Sequence, residues 1–177
     1  KSSTGDILNN SKNPFRLNIG FIVKESVGYS RKFEFDYPNI QINPDLSFDN
    51  FKGFATFDRT QKGLVLQASF TGDLLASCVR CLDDFKETVT TNFTELYAFD
   101  NADTDENELT VPVKGFIDLK PVIGEYLMID FPTKPICKAN CQGLCQECGI
   151  NLNHHECDCE DVVIDPRMEK LKELLEQ

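Results

Sequence analysis

Eight cysteines in four close pairs constrain this chain more than any other feature of its 177 residues. They stand as Cys78-x2-Cys81, Cys137-x3-Cys141, Cys145-x2-Cys148 and Cys157-x-Cys159. Three of the pairs crowd into CKANCQGLCQECGINLNHHECDC, while the first, in CVRC, lies far upstream. Pairs two to four residues apart can put two thiolates on adjacent corners of the tetrahedron that Zn2+ prefers. Eight such ligands make two sites. The stretch from Cys145 to Cys159 has too few apolar residues to form a core, so covalent or coordinate bonds must hold it together. Gly149 directly after Cys148 can take positive φ, and Asn151 and Asn153 can bond locally, as a metal knuckle requires.

Three pairings of the four motifs are possible. The spacing favours a local site of Cys145, Cys148, Cys157 and Cys159. Cys78, Cys81, Cys137 and Cys141 then form a site that closes a long loop. A crossed arrangement, Cys78 and Cys81 with Cys145 and Cys148, stays open. Disulfides compete poorly, because Cys-x-Cys and Cys-x2-Cys are short for mutual bridging and no secretory signal is visible. Redox use of CVRC needs a helix N-terminus in a βαβ context, and here strands flank it. An iron–sulfur cluster ranks below zinc. His154 and His155 could replace a thiol, but with enough cysteines present they read as exposed loop residues. A full thiolate set makes a closed, structural site, whereas catalytic zinc keeps an open position. With no phosphate loop, nucleophile elbow or His-Glu-x2-His, the chain is read as no enzyme.

A hydrophobic content of 41%, with 14 Phe, is enough for a real core, in one sizeable domain or a main domain with an appendage. The longest apolar stretch, Val122 to Phe131, is broken by Gly124, Glu125 and Asp130, so no bilayer-crossing segment is expected. The chain opens KSSTGDILNN, without Met and without a signal-peptide pattern, and is read as cytoplasmic. The formal net charge is −11, of which residues 100–177 carry −10. So acidic a chain gains little from non-specific phosphate attraction. Any RNA contact must use a local basic patch in the first half.

Residues 1–13 read as a flexible N-terminus, 14–135 as an α+β core domain, and 136–177 as a Cys-rich zinc-binding segment with a C-terminal helix. Ile19, Ile22 and Val23 mark a short amphipathic helix that Gly28 stops. RKFEFDY alternates, with Phe33, Phe35 and Tyr37 on one face of a strand. From Phe48 to Phe99 the pattern is antiparallel β, with a turn at QKG, and SCVRCLDD forms a turn between two strands. Asp100 to Glu108 is an acidic, solvated loop. GFIDLKPVIGEYLMIDFPTKP predicts a helix whose stripe is Ile117, Leu119, Val122, Ile123, Tyr126, Leu127 and Ile129, stopped by Pro132 and Pro135. Asp165 and Pro166 open a last amphipathic helix. The fold class is α+β: an antiparallel β-sheet packed by an α-helix, with a zinc-stabilised Cys-rich C-terminal segment.

CVRCLDDF, IDLKPVIGEYLMIDFPTKPIC, CQGLCQECGINLN, CDC and DPRMEKLKELL, in that order, resemble the YceD-like family of large ribosomal RNA subunit accumulation proteins. The resemblance covers about residues 15–175. It implies a non-enzymatic part in 23S ribosomal RNA accumulation or large-subunit assembly. The implied partners are a large-subunit precursor, 23S rRNA or ribosomal proteins, with no membrane and no small-molecule substrate. It carries no catalytic residues over. Two structural Zn2+ ions on the eight cysteines follow from the spacing. For direct RNA contact the candidates are Arg31, Lys32, Lys52, Arg59, Lys62, Arg80 and Lys86, with Phe33 or Phe57 as a stacking face. From Cys137 to Asp161, Lys138 alone faces five acidic residues, which suits a basic ribosomal protein better than phosphate.

Overall fold

The computed structural model describes residues 13–44, 46–99 and 109–159. The acidic loop at 100–108, residues 1–12 and the helix expected from Asp165 lie outside them. The chain divides into two units, Lys1–Leu75 with Lys86–Thr133, and Ala76–Phe85 with Lys134–Gln177.

The first unit is built on long strands. After β1 (Arg16–Asn18) and the short helix α1 (Gly20–Lys24) come β2 (Ser30–Asn43), β3 (Leu46–Arg59), β4 (Gly63–Ser77) and β5 (Asp84–Ala98). These four form one sheet in the order β2-β3-β4-β5, with β2–β3 and β3–β4 antiparallel. The alternation of Phe33, Phe35 and Tyr37 puts them on the core side of β2, and Lys32, Glu34 and Asp36 on the other. In β3 the inward parity changes, since Phe48 and Phe51 are both fully buried. A register shift between Asp49 and Lys52 makes this possible, with Asn50 at φ 50° as the extra residue. Asn tolerates that left-handed backbone better than most residues. Pro38 lies in β2, an edge strand, where its missing N–H costs little.

After β5 a short strand, β6 (Phe116–Asp118), pairs antiparallel with β1, aligning Ile117 with Leu17. The helix α2 (Lys120–Asp130) follows. This corrects the single helix expected from GFIDLKP: Ile117 belongs to a strand, Leu119 caps the helix, and Ile129 is exposed. Three residues are too few to show a period of two, so the strand hides in front of the helix. Asp118 Oδ1 accepts from the Lys120 backbone N–H at 3.0 Å and so satisfies one free donor of the first turn. Pro121 stands in that turn, and Phe131, before Pro132, is already extended. The helix α1 ends at Lys24, earlier than the Gly28 stop.

The core lies on one face of the sheet. Phe15, Ile19, Ile22, Ile117, Leu119, Ile123 and Leu127 cover Phe35, Phe48, Phe51, Phe57, Phe70, Phe93 and Tyr97. Phe15 is its centre, with its ring 5.4 Å from Phe35 and 5.9 Å from Phe51. Phe93 and Tyr126 stack at 4.3 Å, tying α2 to β5.

Candidate metal centres

Each Cys-x2-Cys motif sits in the same local structure. In Cys78–Asp83 the Cys78 N–H donates to the Asp83 carbonyl (2.9 Å), and the Leu82 N–H donates to the Cys78 carbonyl (2.9 Å). In Cys145–Ile150 the Cys145 N–H donates to the Ile150 carbonyl (2.8 Å), and the Gly149 N–H donates to the Cys145 carbonyl (3.0 Å). The residue after the second cysteine is left-handed in both, φ 63° at Leu82 and 72° at Gly149. This geometry folds each pair of thiols onto one side of a tight loop. The first loop is the tip of the β4–β5 hairpin, as the sequence predicts.

The loops gather the cysteines into two groups, each with its sulfurs within 4.8 Å of one another. One holds Cys78, Cys81, Cys137 and Cys141; the other holds Cys145, Cys148, Cys157 and Cys159. This is the arrangement that spacing favours, and not the crossed one. The first group lies within the second unit, with Phe85 and Ile136 packed beside it. There Cys78 Sγ stands 3.8 Å from Cys141 Sγ and Cys81 Sγ 3.6 Å from Cys137 Sγ. A tetrahedron with metal–sulfur bonds of about 2.3 Å has edges of about 3.8 Å, so these separations fit a tetrahedral ion. They are far too long for disulfide bonds. Cys78, Cys81 and Cys141 are buried, whereas Cys148 and Cys159 of the second group are exposed.

Within each group the thiols divide. At Cys78 burial pushes the pKa up, but the backbone N–H groups of Cys137, Cys81 and Arg80 outweigh it and bring the thiol down to about 6. Cys81 goes the other way: an N–H at Asp83 favours its thiolate, yet burial and the neighbouring thiols push it up to about 12. Burial also raises Cys137. Cys141 is lowered, chiefly by the Asn153 side-chain amide, which donates to its Sγ at 3.3 Å. In the second group the N–H groups of Cys148 and Glu147 bring Cys145 down to about 6, while Cys148 and burial push Cys159 up to about 12. Protons thus remain on part of each group until a cation replaces them. A dication on four thiolates is the closed set that holds structure, and its donors suit zinc or iron.

Around the first group the loop after Cys148 supplies a second layer of bonds. Asn151 Nδ2 donates to Asp83 Oδ2 at 2.9 Å, and His154 Nε2 lies 3.0 Å from the same oxygen. His154 therefore faces a carboxylate, outside both thiol groups. The sequence reading gave Asn151 and Asn153 only local bonds and missed this layer, which reaches Asp83 and Cys141.

Most of the basic candidates for RNA contact already have a partner of their own. Lys32 pairs with Glu34 (3.0 Å), Lys52 with Asp36 (3.3 Å) and Lys86 with Asp49 (3.1 Å). The Arg59 guanidinium lies 4.2 Å over Phe99 and its Nε donates to the Val23 carbonyl; Arg31 lies over Phe33. Arg80 Nη1 donates to the Cys141 carbonyl at 3.1 Å. Lys62 is exposed in the β3–β4 turn. Phe57 is fully buried and offers no stacking face, which corrects that expectation, while Phe33 is half-buried with its edge against it. Among the described residues no helix is long and apolar enough to cross a membrane.

A sequence model of the family described as "Large ribosomal RNA subunit accumulation protein YceD" matches residues 66–175, a span that holds all eight cysteines. The uncharacterized proteins Rv2926c of Mycobacterium tuberculosis and Mb2951c of Mycobacterium bovis are each 31% identical to the chain over 127 residues. ML1660 of Mycobacterium leprae is 30% identical over 122 residues. Each match covers 67% of this chain, and 58%, 58% and 56% of those relatives in turn. No solved structure matches the chain.

Proposed function

The chain belongs to the YceD family, and from that premise we propose that it is a non-enzymatic, zinc-binding factor of the cytoplasm. In this reading it acts in large ribosomal subunit assembly and 23S ribosomal RNA accumulation. The family match over residues 66–175 carries the proposal. The two closed four-cysteine groups support the rest, because a saturated thiolate set leaves a bound ion no position for substrate. Zinc then serves to fold two loops whose own apolar content is too small.

A second reading has its own observation. Lys32, Lys52 and Lys86 are each already beside a carboxylate, so a phosphate would have to displace an existing partner. That favours docking on a basic ribosomal protein through the acidic Cys-rich segment, without direct RNA contact. The experiment is sedimentation of the tagged protein in lysate on a sucrose gradient, with and without ribonuclease. Co-migration with large-subunit precursors is expected. Release by ribonuclease favours RNA contact, and retention favours a protein partner. A protein that stays in the light fractions throughout overturns both assembly readings.

A further inference from the structure

The loop that the second cysteine group closes also serves the first. Cys145 and Cys148 stand on one side of it and Cys157 and Cys159 on the other. Its start is fixed by the Leu144–Asn151 bridge and by the Leu152 N–H, which donates to the Gly143 carbonyl at 2.9 Å. From its middle, Asn153 Nδ2 donates to Cys141 Sγ at 3.3 Å and to Asn151 Oδ1 at 3.0 Å. Asn153 Oδ1 accepts from the Gln142 N–H at 3.1 Å. Asn151, held by Asn153, donates in turn to Asp83 Oδ2 and, at 3.4 Å, to the Cys81 carbonyl. The loop therefore reaches both halves of the first group: Cys141 on the later segment and Cys81 on the hairpin tip.

The segment from Cys145 to Cys159 has few apolar residues of its own, so an ion bridging its two cysteine pairs would add a firm closure to the bonds already holding the loop. Its closure fixes the backbone that carries Asn153. Resting on the metal reading above, we propose that Asn153 couples the two metal sites. An ion on Cys145, Cys148, Cys157 and Cys159 seats the Asn153 amide on Cys141 and so strengthens metal binding at the first site. The coupling is reciprocal, so an ion at the first site also strengthens the second. The more exposed group thus helps set how firmly the more buried group holds its ion, and the reverse.

The test is titration of the full chain with Zn2+ against a competing chelator. Peptide-resolved alkylation of unprotected cysteines reads each group separately. Asn153→Ala is expected to weaken Zn2+ at the first group about tenfold, the low end for an outer hydrogen-bond partner. C145S/C148S should weaken it by a similar factor, although neither cysteine belongs to that group. The triple variant should lose no more than the worse of its parents. Asn153→Asp keeps the acceptor for the Gln142 N–H but cannot donate to sulfur, and should weaken the first site more than alanine does. With 113Cd2+ as probe, N153A should move only the first-group resonance, a signature that mere loosening of the loop would not give. First-site affinity within twofold of wild type in both Asn153 variants, or losses that simply add, would overturn the coupling. Wild-type protein that protects no cysteine at all would instead overturn the metal reading itself.

Discussion

Leu82 occupies in the hairpin-tip knuckle the backbone position that Gly149 occupies in the other, at φ 63° against 72°. Glycine takes this conformation freely, while a residue with a Cβ is strained there by roughly 1–2 kcal/mol. The Leu82 side chain is 66% exposed, so little packing offsets that strain. Leu82→Gly should therefore stabilise the knuckle by on the order of 1 kcal/mol, less the greater chain entropy of glycine. It should appear as Zn2+ held a few-fold more tightly at Cys78, Cys81, Cys137 and Cys141 in chelator competition. Gly149→Leu should weaken the other group. An unchanged or weaker first site in Leu82→Gly would mean that the leucine side chain has a contact of its own there.

Metal loading should release protons in a defined number. Near neutrality Cys81 and Cys159, at about 12, are protonated, and Cys137 and Cys157 are raised as well. Cys78 and Cys145, at about 6, are already mostly thiolate. Each group should then release at least two protons but fewer than four per ion at pH 7, measurable with an indicator dye in weak buffer. As pH falls through about 6, Cys78 and Cys145 take up protons too. Release per ion should then rise while affinity drops. Four protons per group at pH 7 would show that the backbone N–H groups do not favour either thiolate.

Much of this arrangement can be read in the residues, for physical reasons that differ by element. Strands β2 to β5 alternate because one face is buried, and that period survives in the sequence. The shift at Asn50 does not, because an inserted residue looks like any other strand residue until its partner strand is known. The β6 strand is only Phe116–Asp118, and its pairing with β1 joins residues about a hundred positions apart, which no local pattern encodes. Among the cysteines, short spacing sets which thiols can share an ion. Gly149 announces its knuckle, whereas Leu82 conceals an equal one because leucine rarely takes positive φ. The hydrogen bond from Asn153 to Cys141 depends on how two loops meet, and it is legible only in three dimensions.

Alkaline stability should depend on Tyr97. Burial first, then the charges of Glu95 and Asp118, push its phenol up to about 12 from an ordinary value near 10. A group whose pKa is raised in the folded state contributes stability that is fully present below its unfolded pKa. That stability is lost as pH climbs through the folded value. The sheet unit should thus lose stability between pH 10 and 12 in urea melts followed by circular dichroism. Tyr97→Phe should flatten that part of the profile. An equally steep fall in Tyr97→Phe would assign the alkaline transition to other groups.

Gly53 gives the sharpest test of the sheet itself. It stands on β3 opposite Phe70 of β4, and a Cβ there would lie 2.8 Å from the Phe70 Cα and closer still to the Ser69 carbonyl oxygen. Both obstacles are backbone, so no rotamer change can relieve the clash, and the β3–β4 ladder must open locally. Opening it disturbs Phe70, whose ring stacks on Phe51 at 5.4 Å beneath Phe15. Gly53→Ala should cost on the order of 2–3 kcal/mol, the upper range for overpacking a well-filled site. Phe15→Ala, which empties the centre of the same cluster, should cost about 3–5 kcal/mol. Chemical denaturation of both variants checks this. The expected order is wild type, then Gly53→Ala, then Phe15→Ala, with metal content unchanged in all three because no cysteine lies in that unit. A Gly53→Ala protein as stable as wild type would show that β3 and β4 can part at this position without disturbing the aromatic cluster.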